Sequence, residues 1–273
     1  MALNERKVAF IGAGHITNII LGNLAKTEKI PSNSLIASDP NKSKLQQLYE
    51  KYKITIAQDN FEAVDKADFI FINVPPQAAG GVISELSQKD ISNDKLIITL
   101  AAGVSINAYD KLGGNIPVVR ALPNPPSQIG MGIAALCFNA FVNDQQKSDV
   151  FELFGSLGEY VVLGEEKINA VTALSSPVAT YLFFQSLVDA GVRAGIDHET
   201  STKIVHQTIV GAMEVWKQRQ ASPQDLLSEA STPGGVSVES IVTLEQYGVK
   251  AALNEAIIKG TLRAKELGDA ACR

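Results

Sequence analysis

Gly12 and Gly14 flank a single alanine directly after the apolar run Val8-Ala-Phe-Ile11 and just before a stretch of helical period. At such a junction the first backbone N–H groups of the helix point out of its N-terminus, and glycines let a pyrophosphate reach them with no Cβ in the way. The segment therefore predicts a dinucleotide site, with Gly12, Gly14, His15 and Ile16 around the phosphates. A bare strand-to-helix turn would use the same glycines, and the third glycine of the usual GxGxxG fingerprint is Thr17 here. Asp39 ends the next expected strand, where a carboxylate can bind ribose hydroxyls. It repels a 2′-phosphate, whereas the neighbouring Ser38, Asn41 and Lys42 can receive one, so both NADH and NADPH stay open. Asp39 is equally placed to cap a helix beginning near Asn41. Asn73-Val74-Pro75 and Ala101-Ala102-Gly103 follow the next two good strands, at the carboxyl edge where open α/β sheets bind ligands. Small residues there let a nicotinamide ring lie close to the backbone, although ordinary strand-ending turns use them too.

Other chemistries lack their residues. Cys137 and Cys272 are the only cysteines, and His15, His198 and His206 are dispersed, so no metal set or disulfide framework is expected. Cys137 sits in an apolar run and reads as a buried, inert thiol. No nucleophile elbow, P-loop or paired carboxylates occur; Glu165 and Glu166 read as ordinary first-turn acids of a helix. With 24 Lys+Arg against 29 Asp+Glu the net charge is −5, which leaves no basic field for nucleic acid or anionic lipid. The start MALNERKVAF has no cleavage site, and no run approaches the ~18 uninterrupted apolar residues of a membrane span. A cytoplasmic protein without membrane or nucleic-acid partners is expected.

The elements that must position these residues change character along the chain. Apolar, β-branched runs at Val8–Ile11, Leu35–Ser38, Phe69–Val74, Leu96–Leu100, Val118–Ala121, Ile133–Phe138 and Tyr160–Leu163 alternate with helical segments. This is the βαβ pattern of a parallel sheet buried on both faces. Beyond Gly164 the period is helical, around Tyr181–Val192, Ser201–Arg219 and Val238–Leu267. The fold class is α/β: a Rossmann-type doubly wound domain over 1–164, then an all-α domain over 165–273. In the second helix Ile204, Val205, Ile209, Ala212, Val215 and Trp216 share a face, and Met213 with Trp216 reads as a core helix contact. Three long helices with little sheet to cover them would leave apolar surface wet in a monomer, which predicts a homodimer or higher homo-oligomer through the helical domain.

The order of segments resembles the pyrroline-5-carboxylate reductase family over nearly the whole chain. The resemblance rests on Phe10-Ile-Gly-Ala-Gly14, Ala101-Ala-Gly-Val104, Arg120-Ala-Leu-Pro-Asn124, Asp189-Ala-Gly-Val-Arg-Ala-Gly195, and, most specifically, Thr232-Pro-Gly-Gly-Val-Ser237 followed by Leu244-Glu245. It implies a Rossmann domain, helices interleaved with those of a second subunit, and NAD(P)H delivering hydride to the cyclic imine 1-pyrroline-5-carboxylate, forming proline. A protonated imine is already electrophilic and needs positioning more than activation. By motif position, Ser237 falls where the family usually has threonine and would serve the ring nitrogen as the catalytic hydroxyl. Backbone N–H groups within the turn Pro233-Gly234-Gly235, with Thr232 and Ser175, would hold the substrate carboxylate. Ser237 as a plain cap of the following helix is the competing reading.

Three departures from the family pattern stand out. Ser175-Ser-Pro-Val-Ala-Thr-Tyr181 replaces a stretch that usually reads Ser-Gly-Ser-Gly-Pro-Ala-Tyr; Val74-Pro75-Pro76 replaces Val-Lys-Pro; and Thr17 stands for the glycine. Glycine allows close approach and proline removes a donor, so these changes are expected to reshape the ligand wall. They raise two alternatives, a reductase of another small imine and a catalytically silent dinucleotide-binding relative.

Overall fold

The computed structural model describes residues 3–271; Cys272 lies outside them. In chain order the elements are β1 (Val8–Ile11), α1 (His15–Thr27), β2 (Leu35–Ser38), α2 (Lys42–Tyr52), β3 (Thr55–Ile56), α3 (Asn60–Lys66), β4 (Phe69–Ile72), α4 (Pro76–Leu86), β5 (Leu96–Thr99), β6 (Val118–Pro123), β7 (Gly132–Phe138), α5 (Asp144–Gly155) and β8 (Gly158–Val162). The helices α6 (Glu165–Leu174), α7 (Val178–Arg193), α8 (His198–Arg219), α9 (Pro223–Glu229), α10 (Val236–Gln246) and α11 (Val249–Ala271) follow.

The strands form one sheet in the order β3-β2-β1-β4-β5-β6-β7-β8. From β3 through β6 it is parallel, as the buried apolar runs predict. β7 breaks that expectation by running antiparallel to β6, with β8 parallel to β7. A parallel return needs a crossover of about a dozen residues or more, and only the turn around Pro125–Ile129 joins β6 to β7. The two faces hold separate cores: Phe10, Phe71 and Phe154 pack on one, and Ile70, Ile97, Val118 and Ile168 on the other. Continuous apolar strands supply both at once. The sequence order reverses on either side of β1. Ile11 is in register with Ser38 on one side and with Ile72 on the other. Gly12, Asp39 and Asn73 thus leave the sheet together at one carboxyl edge.

By its contacts the chain divides into two compact units: the sheet-bearing unit runs to Ser176 and takes back the chain from Ile257, leaving 177–256 as the helical unit. Two contacts tie α6 and the end of α11 to the sheet-bearing unit. Ile168 of α6 is fully buried in the second core. The end of α11 meets the loop after β5 backbone to backbone: Gly103 has φ +79, a Cβ on it would lie 2.4 Å from the Ala264 carbonyl, and one on Gly268 would lie 1.8 Å from the Gly103 carbonyl. Only two glycines permit that approach.

In the helical unit, the single helix expected over 238–267 is two, because α10 stops before Gly248, whose φ is +67. α9, capped by Ser222 with Pro223 at its start, was not apparent from periodicity. α7 and α8 approach closely where Gly191 faces Ser201. Only Val188 and Ser201 are buried between 177 and 256. Met213 and Trp216, expected as core, are 53% and 42% exposed, and Tyr181 and Leu182 on α7 are 58% and 68% exposed. The apolar faces read from the sequence exist, but the single chain does not cover them. The stretch 165–193 is long and apolar enough to span a membrane by composition. The break at Ser175–Pro177 divides it into helices of 10 and 16 residues, both short of the ~20 residues a span requires.

Candidate cofactor and substrate sites

The glycine loop is built for close approach. Gly12 has φ +104, and a Cβ there would lie 2.8 Å from the Asn73 carbonyl oxygen and 3.3 Å from Val74 Cγ1. Its N–H donates to the Ser38 carbonyl at 2.8 Å. Gly14, the N-cap of α1, has no side-chain cap, and a Cβ on it would meet nothing within 4 Å. The helix N-terminus therefore presents uncapped amides beneath an open cradle, and these residues fit the pyrophosphate of a dinucleotide. His15 and Ile16 form the first turn of α1.

Thr17, the residue in place of glycine, is fully buried. Its hydroxyl donates to the Gly12 carbonyl at 2.5 Å and accepts from Asn73 Nδ2 at 3.0 Å. Among the described residues Asn73 Oδ1 is buried without a partner. The chain thus replaces glycine packing by a polar latch between the loop and the end of β4. Thr17→Val keeps the shape but strands the Gly12 carbonyl and the Asn73 amide. We expect a stability loss of about 1–3 kcal/mol by chemical denaturation, with Thr17→Ser recovering most of it.

Asp39 does not cap α2. Asn41 does, its Oδ1 accepting from the Ser43 and Lys44 N–H groups at 3.0 and 3.3 Å. Asp39 Oδ2 accepts from the Ala13 N–H at 2.7 Å and Oδ1 from the Asn41 N–H at 2.8 Å. Its carboxylate is held over the glycine loop. Ser38 is buried, and its hydroxyl donates to Asn60 Oδ1 at 2.8 Å rather than facing that loop.

Across the edge, Val74 borders Gly12, and Pro75 is the N-cap of α4. Ala101 is buried, while Ala102 is partly exposed. Gly103, expected against a nicotinamide, is engaged by α11. What fixes this wall is a network that single-sequence reasoning missed. Arg120 on β6 is only 2% exposed; its Nη1 donates to Glu165 Oε1 at 3.2 Å and its Nη2 to Asn169 Oδ1 at 2.7 Å. Glu165 Oε1 also accepts from the Ile106 N–H at 2.7 Å. Glu165 is therefore no ordinary first-turn acid, for it ties α6 to the loop after β5. The buried arginine was the available signal, since such a charge needs a partner. Burial, and then the Glu165 charge, push the neighbouring Cys137 thiol up, which keeps it protonated and inert. Asn124 bridges the β6–β7 corner, accepting from the Ile133 N–H at 2.8 Å and donating to the Ser175 carbonyl at 3.1 Å. Ser175 closes α6.

In the helical unit the Thr232-Pro233-Gly234-Gly235 turn is closed by a bond from the Gly235 N–H to the Thr232 carbonyl at 2.9 Å. Gly235 is the N-cap of α10, with no side-chain cap. Ser237 lies one residue inside the helix, exposed, with Glu239 the acid of that turn. The reading of Ser237 as the cap fails, because the capping position belongs to a residue without a side chain. Its hydroxyl stands beside first-turn amides that have no intrahelical partner.

Comparison with known proteins covers nearly the whole chain. A family model described as pyrroline-5-carboxylate reductase dimerisation matches residues 165–267, and one described as NADP oxidoreductase coenzyme F420-dependent matches 7–103. The chain is 30% identical to a pyrroline-5-carboxylate reductase of Corynebacterium melassecola, over 96% of this chain and 98% of that one. Its structure is similar to that of a pyrroline-5-carboxylate reductase from Coxiella burnetii, with a TM-score of 0.88, 28% identity and coverage of 97% and 99% of the two chains. It is also similar to a Plasmodium falciparum pyrroline carboxylate reductase with NADP bound, with a TM-score of 0.87, 28% identity and the same two coverages. From its glycine loop to its Pro-Gly-Gly turn, the chain belongs to the pyrroline-5-carboxylate reductase family.

Proposed function

We propose that the chain reduces 1-pyrroline-5-carboxylate to L-proline with a nicotinamide dinucleotide, and that it does so as a homodimer or higher homo-oligomer through its helical unit. The observation that carries the chemistry is the uncapped start of α10, where amides and the Ser237 hydroxyl are free to meet a small carboxylated ring. The bound dinucleotide supplies hydride. Gly12 and Gly14 give the pyrophosphate access to the amides of α1, and Asp39 orients the ribose. Val74, Pro75, Ala101 and Ala102 form the nicotinamide wall, and Arg120 with Glu165 keeps that wall in register with α6.

The uncapped first-turn amides of α10, with Thr232 and Gly234 beside them, hold the substrate carboxylate. Ser237 Oγ accepts a hydrogen bond from the protonated ring nitrogen, fixing the C=N bond for attack. The imine needs no further activation, so orientation supplies most of the rate. Hydride adds to the imine carbon, the C=N π pair becomes the nitrogen lone pair, and the N–H proton stays on nitrogen.

A panel of cyclic imines with five- and six-membered rings, with and without a carboxylate, tests substrate identity. Fastest NAD(P)H oxidation is expected with the five-membered carboxylated ring. Preference for another ring would favour the alternative raised by the Ser175–Tyr181 departure, and cofactor binding without any turnover would favour a silent relative. For the oligomer, light scattering at micromolar concentration is expected to give at least twice the 29.1 kDa chain mass. A clean monomer would leave the faces of α7 and α8 without cover and overturn that part.

A further inference from the structure

The sequence leaves NADH and NADPH equally open, because Asp39 opposes a 2′-phosphate while Ser38, Asn41 and Lys42 offer groups to receive one. The structure removes most of the second set. Ser38 is 4% exposed with its hydroxyl bonded to Asn60. The Asn41 side chain is engaged by the N–H groups of Ser43 and Lys44, which are the amides at the start of α2 that a phosphate would otherwise use. The Asn41 N–H is taken by Asp39 Oδ1. Only the exposed Lys42 ammonium remains of the three candidates. The opposing group, in contrast, is fixed: two backbone amides, Ala13 at 2.7 Å and Asn41 at 2.8 Å, hold the Asp39 carboxylate beside the glycine loop.

Resting on the dinucleotide reading above, we infer that Asp39 is a specificity-determining residue that makes this chain select NADH over NADPH. The unphosphorylated ribose offers two hydroxyl donors to a carboxylate that the loop has already oriented. NADPH would set a dianion against the same fixed charge. At a separation of roughly 6 Å with bulk-water screening, that repulsion alone disfavours NADPH by about tenfold. An exposed lysine on a flexible stem offsets little of it.

The test is direct titration of the purified full-length protein with NADH and with NADPH, followed by the fluorescence of the reduced nicotinamide, with no imine present. Expected is a Kd for NADH at least about tenfold below that for NADPH. Asp39→Asn keeps one carbonyl oxygen for an amide and removes the charge, so it should bring the ratio close to one, mainly by tightening NADPH. Lys42→Ala should leave the ratio unchanged. A wild-type preference for NADPH, or one that Lys42→Ala abolishes, overturns the inference whatever Asp39→Asn does. Failure of imine turnover would leave the binding ratio intact and strike only the proposed reaction, whereas binding of neither dinucleotide would overturn both.

Discussion

Ser237→Ala is expected to lower kcat/KM for 1-pyrroline-5-carboxylate by about ten- to a thousandfold, or ~1.4–4 kcal/mol of transition-state stabilisation. Dinucleotide affinity should not move. The hydroxyl sits on an exposed first-turn position of α10, with Gly235 as the cap, so its loss removes no cap and little packing. Thermal stability should therefore stay within experimental error, which distinguishes a role at the ring nitrogen from a structural one. Ser237→Thr, which keeps the hydroxyl, should retain most of the activity. Unchanged turnover in Ser237→Ala would remove the residue from the chemistry.

Gly12→Ala should act at the other end, by forcing a side chain into a left-handed backbone at φ +104 with its Cβ 2.8 Å from the Asn73 carbonyl oxygen. Strain of this kind costs about 1–3 kcal/mol. Its relief would shift the loop away from α1, and dinucleotide affinity is expected to fall by about a hundredfold, with a lowered Tm. Gly14→Ala is the informative control, since its φ is −84 and a Cβ there meets nothing within 4 Å. That variant should fold like wild type, and any loss of affinity would then report the ligand occupying the open space. Isothermal titration beside thermal melts separates the two cases. Equal affinity in wild type and both variants would remove the loop from cofactor binding.

Much of the α/β half could be read from the chain because its strands announce themselves: Val8–Ile11 is apolar at every position and Leu35–Ser38 at all but the last, and both fold with those bounds. β3 escaped notice because two edge residues carry no periodic signal. The direction of β7 depended on a connection too short for a crossover, a property of the turn rather than of the strand. The glycine loop and the Pro-Gly-Gly turn were legible as turns because the left-handed backbone at Gly12 and Gly234 restricts residue type so strongly. Arg120, Glu165, Asn124 and the Thr17–Asn73 latch were not, since a polar side chain takes its partner from tertiary contacts distant in sequence. Gly103 carries a second constraint that its position at a strand end did not announce: α11 packs against it, backbone to backbone.

The central claim is that this chain passes hydride from a nicotinamide to the imine carbon of a five-membered carboxylated ring. Turnover with cofactor deuterated at the transferring position of the nicotinamide, followed by mass spectrometry and NMR of the product, tests it most directly. The expected product is L-proline carrying one deuterium, bound to the ring carbon that had been doubly bonded to nitrogen. Unlabelled proline, or cofactor left unoxidised beside intact imine, would contradict it.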